Sequence, residues 1–308
     1  MTYKTALVTG GAGFIGSHIV DALIRRRIKV FVVDDLSTGS KENLNPNAEF
    51  MKISIASPRF PEVVKKISPD IIFHLAAQID VRKSVALPIA DARVNILGTL
   101  HLIEAAKDAK VKKIVFSSSG GAMYSDAVRP PYNESAPSDP ISPYGIAKRA
   151  GEMYFAFAQS VYGISCVTLR YANVYGPRQS RAGEAGVVAI FASKMLEKKS
   201  VVINGTGRQT RDFVYVDDVV RANMLAMAHA KGGIFHIGTS KQTDINKMFR
   251  MLKHLTNFSL PERHAPASPG EVMRSALSAK KARAELGWEP QVDLDDGLER
   301  TVEWFKKR

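Results

Sequence analysis

Apolar runs of strand length punctuate this chain: TALVTG, KVFVVD, EFMKIS, DIIFHLAA, KIVFSSS, CVTLRYA and GIFHIG. They are rich in Val, Ile and Phe and do not alternate with polar residues, which is the pattern of strands buried on both faces. Segments of helical periodicity separate them. SHIVDALIRRR, NILGTLHLIEAAKDA and PYGIAKRAGEMYFAFAQSVYG are the clearest, the last with Ser142 as its N-cap and Pro143 at its first helical position. Strand and helix in alternation predict an α/β fold around a parallel sheet.

The alternation loosens after Gly176, where PRQSRAGEAG and later SLPERHAPASPGE are rich in Pro, Gly and Ser. The expected division is a larger domain over 1–175 and a smaller, discontinuous one over most of 176–308. The chain is expected to return to the main sheet near 213–240, because GIFHIG again reads as a core strand. Two short helices are expected in the tail. Ser278 would cap AKKARAEL with Gly287 behind it, and Leu294, Leu298 and Val302 recur at helical spacing.

Composition narrows the function classes. With 308 residues and 45% hydrophobic content the chain can bury one or two cores, which excludes disorder. The start runs straight into a strand and no window approaches a membrane span, so a cytoplasmic protein with no membrane partner is expected. Cys166 is the sole cysteine, which excludes disulfides and Cys-based metal sites within the chain; no metal is expected, and the thiol reads as structural and buried. A net charge of +13 raises a nucleic-acid partner. Lys and Arg are spread along the chain, however, and the runs Arg25–Arg27 and Lys198–Lys199 fall where helices should end, a favourable place for cations. A solvated surface is the expectation, with no nucleic-acid partner.

Chemistry begins at the first strand. TALVTG leads into Gly10, Gly13 and Gly16 and then at once into a helix. Glycines there allow a tight turn and close approach of backbone to a pyrophosphate, which the helix N-terminus attracts. Asp34 follows at the end of the next strand, placed to accept from the ribose hydroxyls of a dinucleotide. Asp35 adds negative charge where the 2′-phosphate of NADP would sit, so NAD is the expected cofactor. Further on, Tyr144 and Lys148 stand four apart on a predicted helix and share a face. An ammonium beside a phenol favours the phenolate, and a phenol so tuned can act as general base.

Taken together, TGGAGFIGSH, VVDDLSTG, HLAAQIDV, FSSSGGAMY, YGIAK, RYANVYGPRQ, RDFVYVDDV and ELGWEP resemble the extended short-chain dehydrogenase/reductase family, nearest to its nucleotide-sugar epimerases. The motifs cover nearly the whole chain in the family's order. The resemblance implies a Rossmann-type doubly wound parallel sheet that binds NAD, a smaller α/β domain for a UDP-sugar, and a homodimer paired through the helices after Asn95 and after Ser142. It places Gly10, Gly13, Phe14, Ile15, Gly16, Asp34, Asp35, Leu36, Ser37, Thr38 and Gly39 along the adenosine and pyrophosphate. Ile55, Leu75, Ala76, Ala77, Gln78, Asn95, Ser117, Tyr144, Lys148 and Tyr171 would line the rest of the cofactor. Ser119, Tyr144, Asn173, Val187, Arg211 and Glu271 would meet the UDP-sugar, Arg211 having its own reason in the fit of guanidinium to phosphate.

The implied reaction is NAD-dependent C4 epimerisation of a UDP-hexose, the UDP-glucose/UDP-galactose pair, through a 4-keto sugar. Tyr144 would take the 4-hydroxyl proton, with Ser119 as relay and Lys148 tuning the phenol. Several positions depart from the family's pattern. Ser54 stands where an Asp often holds the adenine amino group, Ser125 replaces a Gly, and Ser268 stands where many epimerases carry an Arg. GGA adds one residue before Tyr124, which leaves either Ser119 or Ser118 as the relay. The 4,6-dehydratases of the family need an Asp-Glu pair where this chain has Gly121 and Ala122, and its decarboxylases a Glu at Ala122. The motifs also leave room for a UDP-hexuronate epimerase, and for a non-catalytic NAD-binding regulator that would keep the glycine loop and shed the chemistry. Ser275 is expected beside the C2 substituent, where its small size would leave room for UDP-N-acetylglucosamine.

Overall fold

The apolar runs assemble into one seven-stranded sheet in a computed structural model that describes residues 3–181, 186–267 and 272–308. In chain order the elements begin with β1 (Thr5–Thr9), α1 (Phe14–Arg25), β2 (Lys29–Asp34), β3 (Glu49–Lys52), α2 (Phe60–Ile67) and β4 (Ile71–His74). Then come α3 (Val81–Ala86), α4 (Pro88–Ala92), a π-helical turn (Arg93–Leu97), α5 (Gly98–Asp108), β5 (Lys113–Ser119), α6 (Pro143–Tyr162) and β6 (Ser165–Tyr171). The remainder holds β7 (Asn173–Tyr175), α7 (Val187–Leu196), β8 (Val202–Asn204), β9 (Thr210–Arg211), β10 (Phe213–Tyr215), α8 (Val216–Ala228) and β11 (Gly233–Ile237). It ends with β12 (Thr243–Asp244), α9 (Ile245–Leu255), β13 (Arg263–Ala265) and α10 (Leu294–Lys306).

The main sheet runs β11-β6-β5-β4-β1-β2-β3 with every pairing parallel. Because β1 lies between β2 and β4, the winding reverses there, and the crevice beyond the carboxyl ends of β1 and β4 is where such sheets bind ligands. Val8 and its neighbours pack with Ile19 of α1 and Val219 of α8, while Leu7 packs on the opposite side with Val64 of α2, Leu102 of α5 and Phe155 of α6. Helices on both faces make this a Rossmann-type doubly wound sheet. They also explain why its strands read as unbroken apolar runs.

A separate apolar cluster gathers Phe191 of α7, Phe249 of α9, and Leu298, Val302 and Phe305 of α10. β11 belongs to the main sheet although it follows β7 to β10 in the chain. Ser142 caps α6, accepting from Gly145 N at 3.2 Å, and Gly163 closes it with φ +70°. Two expectations need correction. The helix expected from Asn95 is preceded by α4 from Pro88, with Asn95 inside the π turn. The turn expected behind Ser278 is π-helical over Ala282–Leu286, flanked at its start by Lys281 with no side-chain cap and closed by Gly287 at φ +65°, while the Ser278 N–H donates to Tyr132 O at 2.6 Å. Cys166 is buried, and burial pushes its thiol up to about 12, so it stays protonated and inert.

Candidate active site

The glycine loop joins β1 to α1 at the winding reversal. Gly10 has φ +73°, and a Cβ there would come within 2.7 Å of Ala76 N. A Cβ on Gly16 would run into the Gly10 carbonyl oxygen, so α1 can approach β1 this closely only with glycine. At the end of β2 the Asp34 carboxylate accepts from Ala12 N at 3.0 Å and Leu36 N at 2.8 Å, which orients it toward the cleft. Burial raises its pKa, and these two N–H bonds pull it back down.

A cleft of about 1310 Å³ opens here. Of the residues expected along the cofactor, all but Leu36 and Asn95 line it. Those two act from behind: Leu36 fixes Asp34, and Asn95 accepts from Gln78 N at 2.8 Å and donates to Gln78 O at 2.9 Å. A backbone cradle that tolerates no Cβ, a helix N-terminus and a carboxylate at the far end together fit a dinucleotide with free ribose hydroxyls. Ser54 also lines the cleft, as do Arg178, Arg181 and Arg308, which the motifs did not single out.

Beyond the cofactor end, β5 delivers its serines to α6. Lys148 is buried, donates to Ser117 O at 2.8 Å and lies 5.8 Å from the centre of the Tyr144 ring. The Ser119 side chain lies beside the Tyr144 phenol. Burial pushes the Tyr144 phenol up to about 12 and lowers Lys148 to about 8, so protein burial alone moves the phenol against the direction the Tyr/Lys spacing predicts. The Ser119 hydroxyl opposes that rise.

Ser118, its neighbour on the strand, is engaged elsewhere. It donates to Glu152 Oε1 at 2.7 Å, and the same carboxylate takes Arg170 Nε at 2.7 Å and Arg170 Nη2 at 2.6 Å. Arg170 Nη1 donates to Tyr124 OH at 2.6 Å, and that hydroxyl lies 2.8 Å from His236 Nε2. With the Tyr124 oxygen accepting from Arg170, its proton goes to His236 Nε2. His236 therefore carries its own hydrogen on Nδ1, facing Tyr132 O at 3.1 Å. Sequence reasoning missed this buried chain, although Glu152 stands four residues after Lys148 on the same helix.

A second cavity of about 270 Å³ adjoins the first. Ser119, Tyr144, Asn173 and Val187 line it as expected, as does Ser118, the other candidate relay, together with Ile79, Gln179 and Phe213, which were not foreseen. Tyr144 lines both cavities. Arg211 and Ser275 line neither of them. Arg211 donates to Thr210 O at 2.9 Å, and Ser275 is 6% exposed with its N–H on Thr210 O at 3.2 Å, packed behind β9. Glu271 and Ser268 lie outside the described residues.

Residues 6–238 match the NAD dependent epimerase/dehydratase family. The chain belongs to it. Across 300 residues the chain is 46% identical to a putative UDP-glucose 4-epimerase of Methanocaldococcus jannaschii, covering 97% of this chain and 98% of that one. A solved structure of the Thermotoga maritima UDP-glucose 4-epimerase with UDP-glucose superposes with a TM-score of 0.95 at 50% identity, covering 98% of this chain and 99% of that one. The Thermus thermophilus UDP-glucose 4-epimerase, solved with NAD, gives 0.93 at 39% identity, covering 98% of each chain. For this member of the epimerase/dehydratase family, among the described residues no helix is long and apolar enough to cross a membrane.

Proposed function

We propose that this chain interconverts the C4 epimers of a UDP-hexose, with UDP-glucose and UDP-galactose as the pair. The reading is carried by one observation: Tyr144, beside Ser119 and Lys148, lines both the dinucleotide cleft and the smaller cavity. A phenol at that junction can reach a sugar hydroxyl and a cofactor at once. The relatives' shared name supports the same chemistry.

NAD, when bound, supplies the hydride acceptor and donor for C4. Gly10, Gly13 and Gly16 would hold its phosphates and Asp34 its adenosine ribose. Tyr144 takes the proton of the 4-hydroxyl and returns it after the 4-keto sugar has turned over. Ser119 passes that proton between sugar and phenol, and the Lys148 ammonium favours the phenolate. Asn173, Val187, Ile79 and Gln179 shape the sugar end. We assign the cofactor to 1–175 with the return segment near 213–240, and the sugar nucleotide mainly to 176–308.

We also propose a homodimer in the cytoplasm. Ile146, Met153, Phe157 and Val161 form an apolar stripe along one side of α6, exposed at 52%, 61%, 42% and 62%, and Leu97 before α5 is 50% exposed. Such a stripe is what two paired helices bury between copies. Light scattering should give twice the chain mass. The decisive test of the reaction is incubation with a panel of UDP-sugars without added NADH, products read by NMR and the bound cofactor by mass spectrometry. UDP-galactose formed from UDP-glucose supports the reading, and a panel without product overturns it.

A further inference from the structure

Asp91 is a buried carboxylate that the proposed reaction leaves unused. It sits in α4 at 1% exposure. Its Oδ1 accepts from Gln78 Nε2 and Asn95 Nδ2, each at 3.0 Å. Its Oδ2 is buried without any partner. A bare carboxylate oxygen in an interior is costly, and an asparagine could make the same two contacts through its amide oxygen. The charge itself therefore calls for a role.

The helix α6, which carries Tyr144 and Lys148, packs against α4, and the Asp91 carboxylate raises the pKa of both groups, which favours the Lys148 ammonium and directly opposes the Tyr144 phenolate. The ionisable groups around Lys148 can be named element by element. From α6 itself come Tyr144 and Glu152, from β4 comes His74, and from α4 comes Asp91. His74 is fully buried and held neutral, its pKa lowered to about 3. Glu152 is already committed to Arg170 through two hydrogen bonds and to Arg149 through a third. Lys148 itself donates to a neutral carbonyl, Ser117 O. Asp91 is thus the carboxylate near Lys148 that no hydrogen-bonded cation neutralises.

We propose that Asp91 is a positioning residue that acts through Lys148, its carboxylate serving as the counter-charge that keeps the buried ammonium protonated while Oδ1 anchors the Gln78 turn at the cleft. The idea rests on the reading of Lys148 as the group that favours the Tyr144 phenolate. Burial lowers Lys148 to about 8, and Asp91 is the larger of the two influences that raise it. Removing the negative charge lets burial act further, so the ammonium is lost at lower pH. The descending, alkaline limb of the activity profile should then move down.

Asp91→Asn tests this in the intact holoenzyme, since it keeps an oxygen for Gln78 and Asn95 and deletes the charge. The expected result is normal folding and cofactor content, KM near wild type, and an alkaline limb of kcat lowered by about one pH unit, which is about tenfold in rate above both limbs. A limb that stays in place while only KM rises would show that Asp91 merely anchors the turn, and would overturn the proposal. A readout that needs neither turnover nor a folded Asn variant is carbon-13 NMR of labelled aspartate in the wild type, with the Asp91 signal assigned by its loss in Asp91→Glu. Burial raises the Asp91 carboxyl, and its bonds to Gln78 and Asn95 and the Lys148 charge oppose that rise; an ionised Asp91 across neutral pH is expected, and a neutral one overturns the proposal. Because this measurement is independent of any substrate, it separates failure of the charge pairing from failure of the epimerase reading.

Discussion

The two ends of the site are built from different materials. At the cofactor end the cleft is shaped by backbone that leaves no room for a Cβ at Gly10 and Gly16, by the N-terminus of α1 and by the Gln78 peptide held on Asn95, with Asp34 fixed by two N–H groups. At the sugar end the walls are side chains from β5, α6, β7, α7 and β10, which lie far apart in the chain. Backbone sites depend on a few residue types at fixed local spacing, whereas side-chain sites can be retuned one residue at a time. Substitutions at the two ends should therefore fail differently: cofactor-end changes in binding, sugar-end changes in rate or selectivity.

The largest effect is expected at the residue shared by both ends. Tyr144→Phe removes one hydroxyl and should lower kcat by about 10²- to 10⁴-fold, the usual range for a lost general base, while NAD content and melting temperature stay at wild type. Single-turnover assays on the purified holoenzyme would check it. Near-normal turnover would remove Tyr144 from the chemistry and with it the junction between the ends.

Asp34→Ala comes next and should act mainly on binding, with some loss of stability because the Ala12 and Leu36 N–H groups lose their acceptor. Losing a charged acceptor costs about 1.5–3 kcal/mol, so NAD affinity should fall about ten- to a hundredfold, with discrimination against NADP relaxed. Calorimetric titration of both cofactors into stripped protein measures this. A wild type that binds NADP as tightly as NAD would refute the role given to Asp34.

The neighbouring serines offer a sharper comparison within one strand. Ser119→Ala should cost about 0.5–1.5 kcal/mol in the barrier, roughly three- to tenfold in kcat, because it removes the hydroxyl beside the Tyr144 phenol. Ser118→Ala should instead lower stability by about 1 kcal/mol through the lost bond to Glu152, with kcat less affected. Thermal melts and kcat measured on both variants give a crossed pattern; the reverse pattern would make Ser118 the relay.

Those serines also show where the sequence is and is not readable. The glycines, Asp34 and the Tyr144/Lys148 pair are legible because strand, turn and helix geometry fix their relations within a few residues. The extra residue in GGA obscures the relay serine, and position alone does not resolve it, since Ser118 and Ser119 both line the smaller cavity; what separates them is that the Ser118 hydroxyl is taken by Glu152. Asp91 is invisible for a different reason. Its spacing to Asn95 places the two on one helix face, yet its approach to Lys148 depends on how α4 packs against α6, which no local pattern encodes.

The smallest effect is expected at Ser275, which the sequence places against the C2 substituent of the sugar. The structure buries it at 6% exposure behind β9, outside the walls of both cavities. Its N–H bonds Thr210 O, a contact that any residue but proline keeps. Ser275→Ala should therefore alter stability and turnover only within about 0.5 kcal/mol, and it should affect UDP-glucose and UDP-N-acetylglucosamine alike. Ser275→Tyr would overfill a packed site and should destabilise the fold by about 1–3 kcal/mol, again without choosing between sugars. The measurement is the ratio of kcat/KM for the two sugar nucleotides, taken beside a thermal melt for each variant. An unchanged ratio with a lowered melting temperature in Ser275→Tyr assigns the residue to packing. A selective loss of the N-acetylated sugar at unchanged stability would return Ser275 to the pocket wall, and would mean that one side chain at the sugar end sets which substituent at C2 is admitted.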